Sequence, residues 1–205
     1  MKRQQVFTVL VIAIIAVTII NFLSVGESSD DYLARIEEDR KTRNGYMLSS
    51  SSPMNDVDKQ QFTGLKYYPV DEAFKIRARF SPAERKQPIF IPTTTGESKK
   101  YIPYGYAEFE LEGATHKLLL YQDWEETNPN RLSLMFADAT SGDATYGGGR
   151  YIDVMKSGGN TIIIDFNMAY NPFCHFNDEY SCPIPPRENL LEVAIEAGEK
   201  LYKDI

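Results

Sequence analysis

The sequence predicts a mainly β domain, an antiparallel roll, sandwich or small barrel, with an N-terminal helix and a C-terminal capping helix. Seven short segments with the character of strands follow one another between residues 74 and 166, and no helical pattern separates them. Such a series is typical of antiparallel β architectures. After Pro186 the apolar residues recur at helical spacing instead, which predicts the closing helix.

The strands are predicted from alternating apolar and charged residues or from short apolar runs. Residues 74–80 alternate apolar side chains with Lys and Arg, and residues 106–112 alternate them with Glu, as in strands with one face in water. Gly113 and Ala114 form a turn, so 106–112 and 116–122 are predicted to make a hairpin. The remaining predicted strands are 88–92, 132–137, 150–155 and 161–166, with a glycine-rich turn at 156–160 between the last two.

Helical patterns flank the predicted strands on both sides. Residues 28–31, Ser-Ser-Asp-Asp, supply N-cap candidates for a stalk helix that runs to about Arg43 and carries charge pairs at i,i+4 spacing. Gly45 and the serine-rich residues 49–53 then predict a flexible link. The closing helix is expected to cap one end of the β structure, and its apolar positions are Leu190, Val193, Ala194, Ala197 and Leu201.

The first 26 residues are predicted to be a membrane anchor or a signal segment. Residues 6–23 are apolar except for two Thr and one Asn, and they follow Lys2 and Arg3. This length favours a bilayer-spanning anchor. A cleaved signal is the alternative, with Ser24 and Gly26 at the −3 and −1 positions of the cut. In both cases the rest of the chain lies outside the cytoplasm, on the periplasmic or extracellular side, and it is secreted if the segment is cleaved.

The predicted organisation therefore has three parts: the anchor or signal at 1–26, a helical stalk and link at 27–61, and a single β-rich domain at 62–205. Two of the 22 basic residues lie in the first part, which leaves 20 basic against 29 acidic side chains and a formal charge of −9. An acidic surface of this kind excludes nucleic acid and anionic lipid as expected partners of the domain.

Cys174 and Cys182 are the only cysteines, and outside the cytoplasm they are predicted to form a disulfide. Closing so short a loop contributes about 2.5 kcal/mol to stability. A metal site with His175 is the alternative, but no Cys-x-x-Cys pair or second nearby histidine completes a tetrahedral set. We therefore expect neither a metal nor a cofactor.

A turn-rich region of Gly, Tyr, Asp and Asn between residues 137 and 189 is where we expect the functional site. Gly147, Gly148 and Gly149 either supply a tight turn or present Arg150 as a fork for a carboxylate or phosphate, whether of a ligand or of a protein aspartate. The numerous tyrosines suit a ligand pocket as well as a half-buried sheet. A site for a small polar or anionic ligand is predicted from Tyr146, Arg150, Asp165, Asn167, Tyr170 and Asn171.

Two other functions remain open from the sequence. Asp138 and Asp165 each follow an apolar segment, and such a pair of carboxylates is suited to acid/base hydrolysis. The chain has no Gly-x-Ser-x-Gly elbow and no His-Glu-x-x-His motif. Alternatively, the aromatic and proline-rich residues 170–186 dock another protein of the cell envelope.

Several motifs occur in an order that resembles the domain-of-unknown-function family 1684. They are Phe62-x-Gly64-Leu65-x-Tyr67-Tyr68-Pro69-Val70-Asp71, Thr140-Ser141-Gly142, Thr145-Tyr146-Gly147-Gly148-Gly149-Arg150-Tyr151, Asp165-Phe166-Asn167-x-Ala169-Tyr170-Asn171-Pro172 with Cys174, Cys182-Pro183-x-Pro185-Pro186-x-Glu188-Asn189 and Ala197-Gly198-Glu199-Lys200. The resemblance implies a single exported or membrane-tethered domain and no particular reaction. Because the family often has Ala where His175 stands, it implies no role for that histidine.

Overall fold

The computed structural model describes residues 27–156 and 158–202. Within these ranges no helix is both long enough and apolar enough to cross a bilayer. The anchor or signal predicted at residues 6–23 lies outside the described residues.

The chain divides into two units, residues 1–39 and 40–205. In the described part of the first unit, α1 (Ser29–Met47) begins. The Asp31 amide donates to Ser28 Oγ at 3.1 Å, and Arg35 Nε lies 2.7 Å from Glu27 Oε1. The predicted stalk helix is thus confirmed, but α1 continues through Gly45 to Met47, where the sequence predicted the start of a link.

The second unit is mainly β, as predicted. After the short helix α2 (Asp56–Gln61) come seven strands. Their bounds are β1 Lys75–Pro82, β2 Ile89–Pro92, β3 Ser98–Leu111, β4 Ala114–Asp123, β5 Arg131–Phe136, β6 Arg150–Met155 and β7 Thr161–Asp165. Short 3₁₀ helices occupy Glu72–Phe74, Phe166–Met168, Phe173–His175 and Arg187–Asn189.

All strand pairings are antiparallel, and the order is β6-β5-β4-β3-β1-β7, with β2 added to β3. The end strands β6 and β7 approach each other, so the sheet is nearly closed and barrel-like. The predicted hairpin forms between β3 and β4. β6 and β7 follow each other along the chain, but they pair with β5 and β1 respectively.

The core fills the space enclosed by this sheet. Alternate residues of β4, β5, β6 and β7 point into it, because successive side chains of a strand face opposite sides. The Phe136 and Phe166 rings lie in this core, 5.1 Å apart between centroids. The other face of β3, β4 and β5 carries a second, smaller cluster formed by Ile91, Tyr101, Leu119, Tyr121 and Met135.

The Asn189 side chain completes the sheet between β4 and β5, which pair directly at Tyr121 and Ser133. The Leu119 amide donates to Asn189 Oδ1 at 2.7 Å, and Asn189 Nδ2 donates to the carbonyls of Leu119 and Met135 at 2.9 and 2.7 Å. The amide side chain therefore satisfies backbone groups that a neighbouring strand would otherwise pair with.

The predicted C-terminal capping helix is wrong: the described residues after Asn189 contain no helix. This segment packs irregularly against the domain and pairs with it through its backbone. The Leu191 amide donates to the Ala137 carbonyl at 2.8 Å, and the Leu201 amide donates to the Ala144 carbonyl at 3.0 Å. Gly198 has φ +77°, a left-handed backbone conformation that does not occur inside an α-helix and typically follows its last turn. Of the apolar residues at helical spacing, Ala197 and Leu201 are buried, whereas Leu190 is 54% exposed.

Candidate functional site

Arg150 is fully buried at the start of β6, and its guanidinium is bound by the protein itself. Nη2 lies 2.8 Å from Asp138 Oδ2 and donates to the Ile195 carbonyl at 2.8 Å. Nη1 donates to the carbonyls of Ala197 and Glu199. Of the partners considered from the sequence, the structure therefore selects Asp138, and the arginine secures the C-terminal segment.

Asp138 is surrounded by hydrogen-bond donors as well. Its Oδ1 accepts from the Thr140 amide at 2.9 Å, from Thr140 Oγ1 at 2.6 Å and from the Ile195 amide at 3.2 Å. Together with the Arg150 contact, these bonds occupy both carboxylate oxygens. This arrangement ties the loop after β5 to the C-terminal segment.

Asp165 and Asn167 organise the backbone after β7. Asp165 Oδ1 accepts from the Asn167 amide at 3.2 Å, which caps the 3₁₀ helix Phe166–Met168. The buried Asn167 side chain binds both backbone groups of Asp71: the Asp71 amide donates to Oδ1 at 3.0 Å, and Nδ2 donates to the Asp71 carbonyl at 2.7 Å. These contacts join the loop before β1 to the end of β7.

Asn171 belongs to a buried network around Glu199. The Asn171 amide donates to Glu199 Oε2 at 2.8 Å, and Asn171 Nδ2 donates to the Lys200 carbonyl at 2.8 Å. Burial raises the pKa of the Glu199 carboxyl, while the Arg43 guanidinium, 2.8 Å away, acts in the opposite direction. The Arg43 guanidinium also lies over the Tyr170 ring, 4.5 Å from its centroid. Only the family motif indicated Glu199 from the sequence.

Cys174 and Cys182 are buried free thiols, so the predicted disulfide is not formed in the structure. They are nevertheless neighbours, because the Cys174 amide donates to Cys182 Sγ at 3.0 Å. The Tyr146 hydroxyl donates to Cys174 Sγ at 3.7 Å. His175 Nε2 accepts from the Tyr202 amide at 3.1 Å, and burial lowers the pKa of this histidine to about 4. Across residues 27–156 and 158–202 no three His, Cys, Asp or Glu residues are placed to hold a metal.

A cavity of about 480 Å³ lies beside β5 and β6, on the face of the sheet opposite the core. Tyr170 lines it, whereas Tyr146, Arg150, Asp165, Asn167, Asn171 and Asp138 do not. The predicted site residues are therefore distributed over several structural networks. The lining residues are Lys99, Tyr101, Asp123, Glu125, Glu126, Thr127, Arg131, Ser133, Tyr151, Asp153, Tyr170, Pro172, Phe173, Tyr180, Ser181, Cys182 and Pro183.

Arg131 organises the charged side of this cavity. Its Nη2 lies 2.7 Å from Asp153 Oδ2, and its Nη1 lies 3.5 Å from Glu126 Oε2. The Tyr170 hydroxyl donates to the other oxygen of Asp153 at 3.3 Å. Asp123 also lines the cavity, and its Oδ1 accepts from the Glu125 amide at 2.9 Å.

The tyrosines form the aromatic side. The rings of Tyr151 and Tyr170 meet edge to face with their centroids 6.0 Å apart, and the Tyr151 hydroxyl donates to the Pro183 carbonyl. The Tyr101 hydroxyl lies near the Asp123 carboxylate. Burial raises the pKa of all three phenols above the ordinary value, so they remain protonated at neutral pH.

The sequence did not indicate this cavity as a unit, because its residues come from segments separated by up to 84 positions, from Lys99 to Pro183. The abundance of tyrosines was the available signal. Arg131, Asp123 and Asp153 belong to no motif, and antiparallel pairing of β5 with β6 brings Arg131 near Asp153.

Comparison with known proteins identifies a family but no activity. A solution NMR structure of an uncharacterised protein from Haloarcula marismortui has 29% sequence identity and a TM-score of 0.68, and the match covers 84% of this chain and 95% of that one. No curated protein matches the chain. The sequence profile described as "Protein of unknown function (DUF1684)" matches residues 60–200. The chain therefore belongs to the DUF1684 family.

Proposed function

We propose that the domain binds a small polar ligand in the cavity lined by Tyr170, Arg131 and Asp153. The observation that carries this proposal is the cavity itself, whose volume of about 480 Å³ lies within the usual range of small-molecule sites. Aromatic rings and several charged groups converge on it from strands and from the loop before Pro183. Such a combination of apolar surface and a few polar groups is typical of ligand sites.

The sequence predicted a ligand at Arg150, whereas the cavity lies on the opposite face of β6. Successive residues of a strand face opposite sides, so Tyr151 and Asp153 line the cavity while Arg150 points away from it. A ligand at Arg150 would have to replace an aspartate and three backbone carbonyls. In the cavity, by contrast, a ligand needs to displace only solvent.

Filling the cavity tests the proposal. Ser133 lines it, and Ser133→Phe would occupy part of its volume. Ser81→Phe is the matched control, because Ser81 is an exposed strand residue of β1 away from the cavity. Ligand-observed NMR with a library of small polar molecules should detect binders of the unmodified domain and of Ser81→Phe, but not of Ser133→Phe.

Circular dichroism of the three proteins shows whether each is folded. If folded Ser133→Phe keeps the same binders with the same affinity, the cavity is not the site. If a broad library gives no binder for the unmodified domain, the proposed function is wrong.

We also propose that residues 6–23 anchor the domain at a membrane and place it outside the cytoplasm. The support is the length of the apolar run and the basic residues before it. Added protease should degrade the domain in cells whose outer layers are opened but whose cytoplasmic membrane is intact. Extraction at alkaline pH then separates an anchored chain from a cleaved one, and protection from protease would contradict export.

An oxidising compartment would also join Cys174 to Cys182. The two residues are adjacent in the structure, so the bridge requires little rearrangement of the chain. We expect the protein isolated from its native host under thiol-blocking conditions to be lighter by two hydrogens than the reduced chain. Two blocked thiols in the intact mass would contradict the disulfide.

A further inference from the structure

We infer that the ligand of the cavity is an organic cation rich in hydrogen-bond donors, with a primary ammonium or guanidinium group. The inference rests on the proposed ligand-binding function and specifies the class of ligand. Three features of the lining carry it: the balance of charge, the hydrogen bonds that its donors and acceptors already make, and the presence of several aromatic residues.

The charged groups that line the cavity are mostly acidic. Four carboxylates, those of Asp123, Glu125, Glu126 and Asp153, face two cationic groups. Arg131 is one of the two, and it is already paired with Asp153 and Glu126. The other, Lys99, is exposed to solvent. Excess negative charge at a partly enclosed site attracts cations and repels anions.

Several hydrogen-bond donors of the lining already bind the protein. The Tyr151 and Tyr170 hydroxyls donate to the Pro183 carbonyl and to Asp153, respectively. The Ser181 hydroxyl donates to Thr93 Oγ1 at 2.7 Å. A ligand composed mainly of acceptors could use these three donors only by breaking bonds within the protein.

The carboxylates of the lining, in contrast, can accept further hydrogen bonds. An ionised carboxylate has about four lone-pair positions. Asp153 accepts one hydrogen bond on each oxygen, from the Tyr170 hydroxyl and from Arg131 Nη2, and Asp123 accepts from the Glu125 amide. A ligand that carries N–H groups can add bonds to both carboxylates without breaking any. Charge-assisted bonds of this kind are also the strong ones.

The aromatic lining favours the same class. Cations bind over the faces of tyrosine and phenylalanine rings. The cavity presents Tyr101, Tyr151, Tyr180 and Phe173, and the Tyr170 ring already has a guanidinium, that of Arg43, over it. An ammonium group bound near Asp153 or Asp123 would thus have an aromatic surface beside it.

Matched probes that differ in charge test the inference. Glucosamine, glucose and glucuronate form one set, and putrescine, 1,4-butanediol and succinate form another. Isothermal titration and ligand-observed NMR at low ionic strength should rank the cationic member of a set first, by at least about tenfold over the neutral member. The anionic member should bind most weakly, and added salt should weaken binding of the cation.

Neutralising one carboxylate gives a second readout. Asp123→Asn should weaken binding of the cationic probe about tenfold, because it removes a charge while preserving shape. Asp56→Asn in α2, outside the cavity, is the matched control and should leave binding unchanged.

The outcomes separate this inference from the proposed function. Preference for glucuronate or succinate, or equal binding of charged and neutral probes, overturns the cation inference and leaves a ligand-binding cavity. If none of the six probes binds but the polar library gives hits that Ser133→Phe abolishes, the charge of those hits decides: mainly cationic hits support the inference, and neutral or anionic hits overturn it. If neither the probes nor the library binds, both are wrong.

Discussion

Arg150 connects the start of β6 to residues 45 to 49 positions later in the chain. A buried guanidinium requires a compensating charge and hydrogen-bond acceptors for its donors. Asp138 supplies the charge, and carbonyls of the C-terminal segment accept from Nη1 and Nη2, whereas Nε is buried without a partner among the described residues. The residue thus stabilises a segment that has no secondary structure of its own.

Removal of this guanidinium should destabilise the domain strongly. We expect Arg150→Met to reduce the free energy of unfolding by about 3 to 5 kcal/mol, because Asp138 would remain buried without its counter-charge. Arg79→Met is the control: the Arg79 side chain is 72% exposed and pairs with Glu108 on the surface, so its loss should cost less than about 1 kcal/mol. Urea denaturation followed by circular dichroism measures both, and equal losses would contradict the role assigned to Arg150.

His175 should make stability depend on pH. Burial lowers its pKa to about 4 in the folded domain, whereas an unfolded chain has the ordinary value of about 6.5. As the pH falls, the unfolded state therefore binds the proton before the folded state does. The contribution of His175 to the free energy of unfolding is complete above about pH 6.5 and is lost as the pH falls towards 4.

The free energy of unfolding should fall by about 2 kcal/mol through this effect, which allows for partial exposure of the His175 ring. His175→Ala should lose less stability than the unmodified domain between pH 7 and pH 4.5 in matched urea titrations, because the other titrating groups are common to both proteins. The same pH dependence in the two proteins would show that the histidine titrates alike in the folded and unfolded states.

At the scale of elements, strands were predictable and the C-terminal segment was not. The strand predictions depend on alternation, which a pleated strand imposes directly on the sequence. The spacing of Leu190, Val193, Ala194, Ala197 and Leu201 matched a helix, yet the irregular chain leaves Leu190 exposed and buries Leu191 and Ile195, which are not among them. The backbone of this segment forms its hydrogen bonds with residues that are distant in the sequence, and a local sequence pattern carries no information about such partners.

Gly198 is the residue that most clearly requires this irregular path. A Cβ there would lie 2.6 Å from the Ala169 carbonyl oxygen and 2.7 Å from that of Phe166. Gly113, in the turn between β3 and β4, has the same φ of +77°, but a Cβ there meets nothing within 4 Å.

Gly198→Ala and Gly113→Ala therefore share the backbone strain and differ in steric conflict. We expect about 1 kcal/mol of destabilisation for Gly113→Ala and at least about 2 kcal/mol more for Gly198→Ala. Thermal and urea unfolding of the two variants measure the difference. Similar losses would mean that the C-terminal segment adapts to a methyl group at residue 198.

At the scale of the whole molecule, pairing between distant strands positions the cavity. Motif residues, which drew attention in the sequence, proved to organise the interior: Arg150, Asn167 and Asn171 all bind backbone groups. The cavity residues Asp123 and Arg131 are ordinary surface types in ordinary contexts. They became recognisable as a site only once the order of the strands was known, and that order is set by long-range contacts.

The dependence of β4, β5 and β6 on residues 189–199 also bears on the timing of folding during synthesis. Asn189 completes the sheet 70 residues after Leu119 has been made, and the acceptors for Arg150 arrive later still. A nascent chain that has just exposed β6 to solvent therefore has neither of these partners. Domains generally fold as units during synthesis. For this one, the unit becomes complete only after Glu199 has been translated.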